Sequence, residues 1–548
     1  MKQLFTVCVL VAMGMNNSYA QCTETATNRV LLVGDSWAAF MNADQTITQG
    51  LRNMGHSDKK FTSNVQIAEN GADTWDFVDG PKQDAIQDII DANPQIDVIH
   101  LSIGGNDLLG SWHTSFTQDE TDSLAADVEG RLESIIDFLQ NTRPGMRVFW
   151  AGYTYPNFGE IIEDMAPFQS AHPFFSTWDD MGQPDFITIN TILNDMSDSV
   201  ALSAAADPQL DFVRAQGILQ YQFGQDVPLG IAPGGTYAQF EPPLPLGYPD
   251  YPSPKESMRL YAGVFADCFH LSPESYLHMF TYQAEKFYHK FFMDDLYVLS
   301  EGGSADGSVT SAGETAATLE IGESGGNEIA TVVSFDTQSM ADTTLASASI
   351  FLRRESLTGT NPFSGNETQI KMISGNFGAT ANVEADDFLA SGDAAGVTCR
   401  FGSHLQDGHW VRFDLTTEMI AAINNQYKTQ FVITVPGFSG GVMTFSDASN
   451  PDYAPVLNMK YGPEPSGVNE IRTAKELPVY PVPTTGGLTI DVDPNELQSV
   501  QVLNVLGAVV LEPTPMGNRI DISELPNGAY ILKLTTDSGV SAKRIIKR

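Results

Sequence analysis

The sequence predicts an α/β domain built on a parallel sheet, followed by two all-β modules. Three observations predict it. From about Asn28 to Val298, short β-branched runs alternate with longer amphipathic ones, the rhythm of strand, helix and parallel strand. Polar clusters fall just beyond the carboxyl ends of those runs, where open α/β sheets place their ligands. After Glu301-Gly302-Gly303-Ser304-Ala305-Asp306-Gly307, a flexible-linker composition, the helical period gives way to short runs separated by Gly, Asn and Asp.

Each element has a local reason. Val30–Val33 is a buried-type strand ending at Gly34-Asp35-Ser36. Val98–Ile103 is another, ending at Gly104-Gly105-Asn106-Asp107, and Arg147–Tyr153 is a third. Helical periodicity covers Lys82–Asp91 and Leu124–Leu139, the latter closed by Pro144-Gly145. From Asn157 to Tyr261 the chain is richer in Pro, Phe and Asp and reads as loops or insertions shaping a substrate cleft. Ser272-Pro273 is an N-cap and first-turn pair. The helix it starts carries Tyr276, Phe280, Ala284, Phe287 and Phe291 on one face, a core stripe. Beyond the linker, Ala330–Phe335, Ser347–Leu352, Trp410–Leu415, Phe431–Val435 and Pro455–Tyr461 predict a β-sandwich over 308–462. After the polar stretch Pro463–Lys475, a small antiparallel module follows at 476–548. Its strands are Leu488–Val492, Val500–Val505, Val509–Leu511 and Tyr530–Thr535.

Composition bounds the partners. At 548 residues the chain holds two to four domains, and 42% hydrophobic against 18% charged residues describes a protein with sizeable cores. A net charge of −39 repels nucleic acid and anionic headgroups. Residues 1–20 read as an export signal: Lys2, an apolar stretch Leu4–Met15, then Ser18-Tyr19-Ala20 before Gln21. That stretch is shorter than a membrane span needs, and no other segment is apolar enough for one. Cys22 would suit a lipoprotein, but Gln21 does not fit a lipidation box. Once Cys8 leaves with the signal, Cys22, Cys268 and Cys399 allow at most one internal disulfide. There is no CxxC pair and no His/Cys cluster of zinc-site spacing, so the sequence points to no metal and no cofactor.

The chemistry gathers on five residues. Ser36, at a strand-to-helix turn, has the exposure a nucleophilic hydroxyl needs, but serine is inert until a base takes its proton. His270 in Asp267-Cys268-Phe269-His270 is that base. A carboxylate three residues earlier can fold onto Nδ1, leaving Nε2 for the serine. The amides of Ser36 and of Gly71, in Glu69-Asn70-Gly71-Ala72, and the Asn106 side chain are the oxyanion donors. Taken singly, Gly-Asp-Ser is more often a turn, Asn106 and Asp107 fit helix caps, and a lone histidine is more often structural. Their combination and order make the difference. His278 is a rival base without an upstream carboxylate at suitable spacing, Asp35 supports the turn, and Cys268 is a buried thiol or one half of a disulfide.

In that order the motifs resemble the four signature blocks of SGNH (GDSL-type) hydrolases, over about half the chain. Trp37 stands where the family usually has leucine, which could narrow or aromatise an acyl pocket. The resemblance implies a flavodoxin-like three-layer fold and a metal-independent serine esterase working through an acyl-enzyme. Catalytic Ser36, Asp267 and His270 follow from it, with Ser36, Gly71 and Asn106 as the oxyanion hole. Asp267-Cys268-Phe269-His270-Leu271-Ser272 also resembles the last block of phospholipase B-like members. Gly322-Glu323-Ser324-Gly325-Gly326 and Gly437-Phe438-Ser439-Gly440-Gly441 match the nucleophile elbow of α/β-hydrolases. That elbow works only between strand and helix, and both copies lie among strands, so they read as hairpin glycines.

Ser347–Arg354, His409–Ala422 and Ser446–Tyr461, including Asp452-Tyr453-Ala454-Pro455, resemble DNRLRE-type β-sandwich domains of extracellular bacterial proteins. Such domains imply structural spacing or carbohydrate attachment. The tail resembles the C-terminal sorting domain of type IX secretion in Bacteroidetes. The matching residues are Tyr480-Pro481-Val482-Pro483-Thr484-Thr485-Gly486, Val505-Leu506-Gly507, Ile520-Asp521-Ile522, Leu525-Pro526-Asn527-Gly528-Ala529-Tyr530 and the basic end Lys543–Arg548. It implies the secretion machinery as a partner and a location at the cell surface or outside. An acylated glycan and a lipid or lysophospholipid ester compete as substrate. A non-catalytic adhesin carried by the β modules is the alternative of another class.

Overall fold

The computed structural model describes residues 25–224, 250–462 and 479–548. Short interruptions fall at 262, 295, 339, 341–343, 424–426, 483, 491–496, 504–508, 514–516 and 537–538. The signal peptide expected at 1–20, and Cys22, lie outside the described residues.

Five parallel strands form the first sheet: β1 (Thr27–Gly34), β2 (Lys59–Thr62), β3 (Val98–Ser102), β4 (Arg147–Trp150) and β5 (Leu210–Phe212), in the order β2-β1-β3-β4-β5. Successive side chains of a strand face opposite sides. Val30 and Leu32 join one core with Phe149, while Leu31 and Val33 join another with Leu101 and Val148. Both faces are therefore covered, which is why β1 reads as an unbroken apolar run. Helices α1 (Ser36–Ala43) and α2 (Thr46–Asn53) pack on the first core through Met41, Ile47 and Leu51. Helices α3 (Pro81–Ala92) and α5 (Gln118–Asn141) pack on the second through Ile86, Ile90, Val128 and Leu132. The short α4 (Gly105–Ser111) starts directly after β3. This is the expected three-layer fold, and its order switches direction at β1/β3, the position where such sheets bind ligands.

Two parts differ from the expectation. The stretch thought irregular contains a 21-residue helix, Phe186–Ala206, capped by Asp185 on the Thr188 amide at 2.8 Å. Its many β-branched residues hid it. The helix opening at Pro273 passes through a π turn at Ala284–Tyr288. The wider turn keeps residues four apart on one face, so Tyr288 and Phe292 occupy the buried positions expected of Phe287 and Phe291, which are only partly buried.

The hairpin β6 (Met258–Tyr261) and β7 (Phe265–Leu271) carries Asp267 and His270. After it come β8 (Leu296–Leu299), β9 (Gly307–Thr310), β10 (Thr315–Ala316), β11 (Leu319–Ser324), β12 (Asn327–Asp336) and β13 (Leu345–Gly359). The run continues with β14 (Thr368–Ile373), β15 (Ala394–Gly402), β16 (Trp410–Asp414), β17 (Lys428–Thr434), β18 (Gly441–Phe445) and β19 (Val456–Tyr461). Apart from one short helix, Thr417–Ala422, the region is all-β as expected, and its edges close on each other. Pairing runs β12-β11-β18-β13-β16-β15-β14-β17, and β17 pairs back to β12. Closure removes the exposed edges. The Gly325-Gly326 and Gly437–Gly441 motifs sit in turns beside β11, β12 and β18, as the sequence indicated. Both central glycines of the first have positive φ, as a tight hairpin demands.

The segment read as a flexible linker is instead built into this wall. Glu301 accepts Lys428 Nζ at 2.8 Å and the Ser334 hydroxyl at 2.5 Å, and Asp306 is buried on the amides of Ser334 and Gly302. β8 pairs with β19, Arg412 reaches Asp58 at 3.0 Å, and Arg353 reaches Glu285 at 2.7 Å. These bonds tie the α/β domain to the barrel as one unit, residues 1–460. The second unit, 461–548, holds two small antiparallel sheets around Leu488, Ile490, Val502, Leu532 and Ile545. Its basic end is part of a last strand, Gly539–Lys547.

Candidate active site

Ser36 stands where the sheet ends and α1 begins. Gly34 makes this turn possible: its φ is +148°, and a Cβ there would lie 1.9 Å from the Ser102 carbonyl oxygen. Only glycine lets β1 and β3 approach so closely. Asp35 is the N-cap of α1, its Oδ1 accepting the Trp37 amide at 2.9 Å. This sets Ser36 at the positive end of the helix.

Ser36 Oγ lies 2.8 Å from His270 Nε2, and His270 Nδ1 lies 2.9 Å from Asp267 Oδ2. The other oxygen, Asp267 Oδ1, accepts the amides of Phe269 at 3.0 Å and His270 at 2.9 Å. The carboxylate is thus locked by its own strand and can present only Oδ2 to the ring. All three are buried, Asp267 most deeply at 2% exposure. Phe40 and Phe269 pack on the His270 ring.

Of the expected oxyanion donors, Ser36 and Asn106 line the cleft at the site and Gly71 does not. Asn106 is in the first turn of α4, beyond its Gly104 cap, and its Nδ2 donates to the Ala72 carbonyl at 2.8 Å. One amide hydrogen stays available. Gly71 lies between two anchors: Ala68 bridges to Gly34, and Ala72 accepts from Asn106. Its φ is +82°, and a Cβ added there would meet no neighbour within 4 Å. Asp107 is structural, accepting the Thr74 amide and hydroxyl at 3.0 and 2.6 Å and Arg131 at 3.0 Å.

The rivals are displaced. His278 packs near Phe223, and burial lowers it to about 4. Cys268 is a buried free thiol pushed well up by that burial, an inert one. Cys399 is disulfide-bonded.

Tyr153 was missed. Tyr153 Oη donates to Asp35 Oδ2 at 2.5 Å and accepts the Gly105 amide at 3.0 Å. Burial raises Asp35 to about 6, against the opposing bonds from Tyr153 and the Trp37 amide. Tyr153 follows β4 at the carboxyl edge of the sheet, a positional signal without a motif. An apolar cleft opens beside Ser36, walled by Trp37, Leu108, Leu109, Ile189, Leu193 and Phe269. Among the described residues, no group of three or more His, Cys, Asp or Glu is placed to hold a metal, and no helix is long and apolar enough to cross a membrane.

Residues 30–282 match the family described as GDSL-like lipase/acylhydrolase, and residues 478–548 match the secretion system C-terminal sorting domain. Beta-agarase D of Zobellia galactanivorans is 35% identical over 83 residues, 15% of this chain and only 16% of the agarase. The carbohydrate esterase family 3 structure from Talaromyces cellulolyticus is similar with a TM-score of 0.27 and 9% identity, over 48% of this chain and 98% of that one. The inhibitor-bound aryl esterase of M. smegmatis gives 0.26 and 12%, over 47% and 98%.

Proposed function

The chain belongs, through residues 30–282, to the GDSL-like lipase/acylhydrolase family, and on that premise we propose that Ser36 cuts esters through an acyl-enzyme. It is an ester-hydrolysing enzyme, carried to the cell surface or beyond by the type IX sorting domain at its end.

One observation carries the mechanism: the unbroken hydrogen-bond chain from Ser36 Oγ through His270 to Asp267, at 2.8 and 2.9 Å. Asp267 holds the imidazole with its proton on Nδ1, so Nε2 is free to accept. As Ser36 Oγ bonds to the ester carbonyl carbon, its proton passes to Nε2. The imidazolium then gives that proton to the departing alkoxide. Water, deprotonated by the same Nε2, releases the acid and restores Ser36. The negative charge on the carbonyl oxygen is met by the Ser36 amide and the Asn106 amide group, with the Gly71 amide as a third donor. Each such donor is worth about 3 kcal/mol in the transition state.

The walls of the cavity favour an apolar acyl group over a sugar ring on the acyl side, because they are aliphatic and aromatic with few polar atoms. The alcohol is a glycan or glycerol-type hydroxyl. Hydrolysis of p-nitrophenyl butyrate by the wild type, abolished in Ser36→Ala, tests the enzyme reading, and a folded wild type without activity on any ester overturns it. Acetate release from acetylated glycans, against release of fatty acid from lysophospholipid, separates the two alcohols.

A further inference from the structure

A second cleft lies against the first and shares four of its walls: Gly105, Leu108, Tyr153 and Leu193. Its remaining surface comes largely from Ile103, Trp150, Met196, Val200 and Phe212. Two of its polar atoms, Trp150 Nε1 and Gln216 Oε1, are buried with no hydrogen-bond partner, as is Thr154 Oγ1 in the first cavity. Buried polar atoms left unpaired beside an apolar cleft call for a water or a ligand there.

Tyr153 is fixed as a wall rather than a swinging gate. Its hydroxyl is held from two sides, by the Asp35 carboxylate and the Gly105 amide. Trp37 meets its ring edge-on, with centroids 5.0 Å apart. A Cβ on Gly105 would touch the ring at 3.0 Å, so the two elements already meet closely.

We infer that Tyr153 divides one acyl site in two, closing the Ser36 cavity against the second and restricting the enzyme to short acyl groups. This rests on the reading above that the Ser36 cavity receives the acyl group. Removing the ring joins the cavities and admits the methylenes of a longer chain. Each methylene buried in an apolar pocket changes specificity by about tenfold or more.

The test is kcat/KM across p-nitrophenyl acetate, butyrate, octanoate and decanoate. Wild type should favour butyrate over octanoate, and Tyr153→Ala should raise the octanoate-to-butyrate ratio by about tenfold or more. Tyr153→Phe, which keeps the ring, should leave the ratio within about twofold of wild type whatever its absolute rate. Met196→Phe added to Tyr153→Ala refills the second cavity and should pull the ratio back. Should Tyr153→Ala fail to fold, Leu193→Ala opens the same shared wall and should shift the ratio the same way. An unmoved ratio in the folded truncations, or a wild type that already prefers octanoate, overturns the partition while leaving the esterase standing. A wild type inert on every ester in the series overturns both.

Discussion

Asp267→Asn separates a carboxylate that orients the base from one that merely packs beside it. Asp267 Oδ1 is committed to the amides of Phe269 and His270, and Oδ2 faces His270 Nδ1 at 2.9 Å. In the Asn variant the two backbone N–H groups claim the carbonyl oxygen, so the side-chain NH2 turns to the ring. Nδ1 must then accept, and the imidazole proton moves to Nε2, aimed at Ser36 Oγ 2.8 Å away. A base already carrying its proton cannot take another from serine. Trapping a triad histidine in the wrong tautomer costs about 10⁴-fold in kcat, or about 5.4 kcal/mol at 1.36 kcal/mol per tenfold. Nothing large is lost in packing, because both backbone bonds survive. The assay is kcat/KM on p-nitrophenyl butyrate, alongside the thermal midpoint of the same preparation. A folded variant that retains more than a tenth of the wild-type rate refutes the reasoning.

Three further outcomes follow from the same geometry. Gly34→Ala puts a methyl 1.9 Å from the Ser102 carbonyl oxygen at a φ of +148°. Stability should fall by more than about 3 kcal/mol with activity lost alongside, as chemical denaturation and ester hydrolysis will show. Asp107→Ala removes the carboxylate partner of the Arg131 guanidinium and the acceptor of the Thr74 amide, so it should lower the unfolding free energy by about 3 kcal/mol, with Asp107→Asn costing less. Burial holds His100 and His289 down at about 3 and His56 well below its usual value. The unfolded chain titrates these near 6.5, so stability is fully present above that pH and falls as pH drops below it, for His100 and His289 down to about 3. Each adds a slope of about 1.4 kcal/mol per pH unit. The guanidinium midpoint should therefore be lower at pH 5 than at pH 7, and a higher one at pH 5 contradicts this.

The site was legible in the sequence because its parts are short and local. Gly34-Asp35-Ser36 marks a strand end, and Asp267 and His270, three residues apart, meet where the hairpin's pairing is irregular and the carboxylate turns back onto the amides of Phe269 and His270. Tyr153 was not legible: its partners Asp35 and Gly105 are 118 and 48 residues away in sequence, and a lone tyrosine after a strand carries no spacing. The fold shows the same division. Strands buried on both faces announced themselves, whereas Phe186–Ala206 was masked by β-branched residues that favour strands. Barrel closure depends on β12 meeting β17, a pairing of residues about 100 apart. The linker was misread because glycine content describes the unfolded chain, while Lys428 and Ser334, which fix Glu301, come from distant strands.

The most direct measurement is covalent. A fluorophosphonate probe bonded to the folded protein, followed by peptide mass spectrometry, should find one adduct on Ser36, absent from Ser36→Ala and slowed in His270→Ala. An unlabelled wild type, or an adduct on Ser324 or Ser439 instead, would contradict the account.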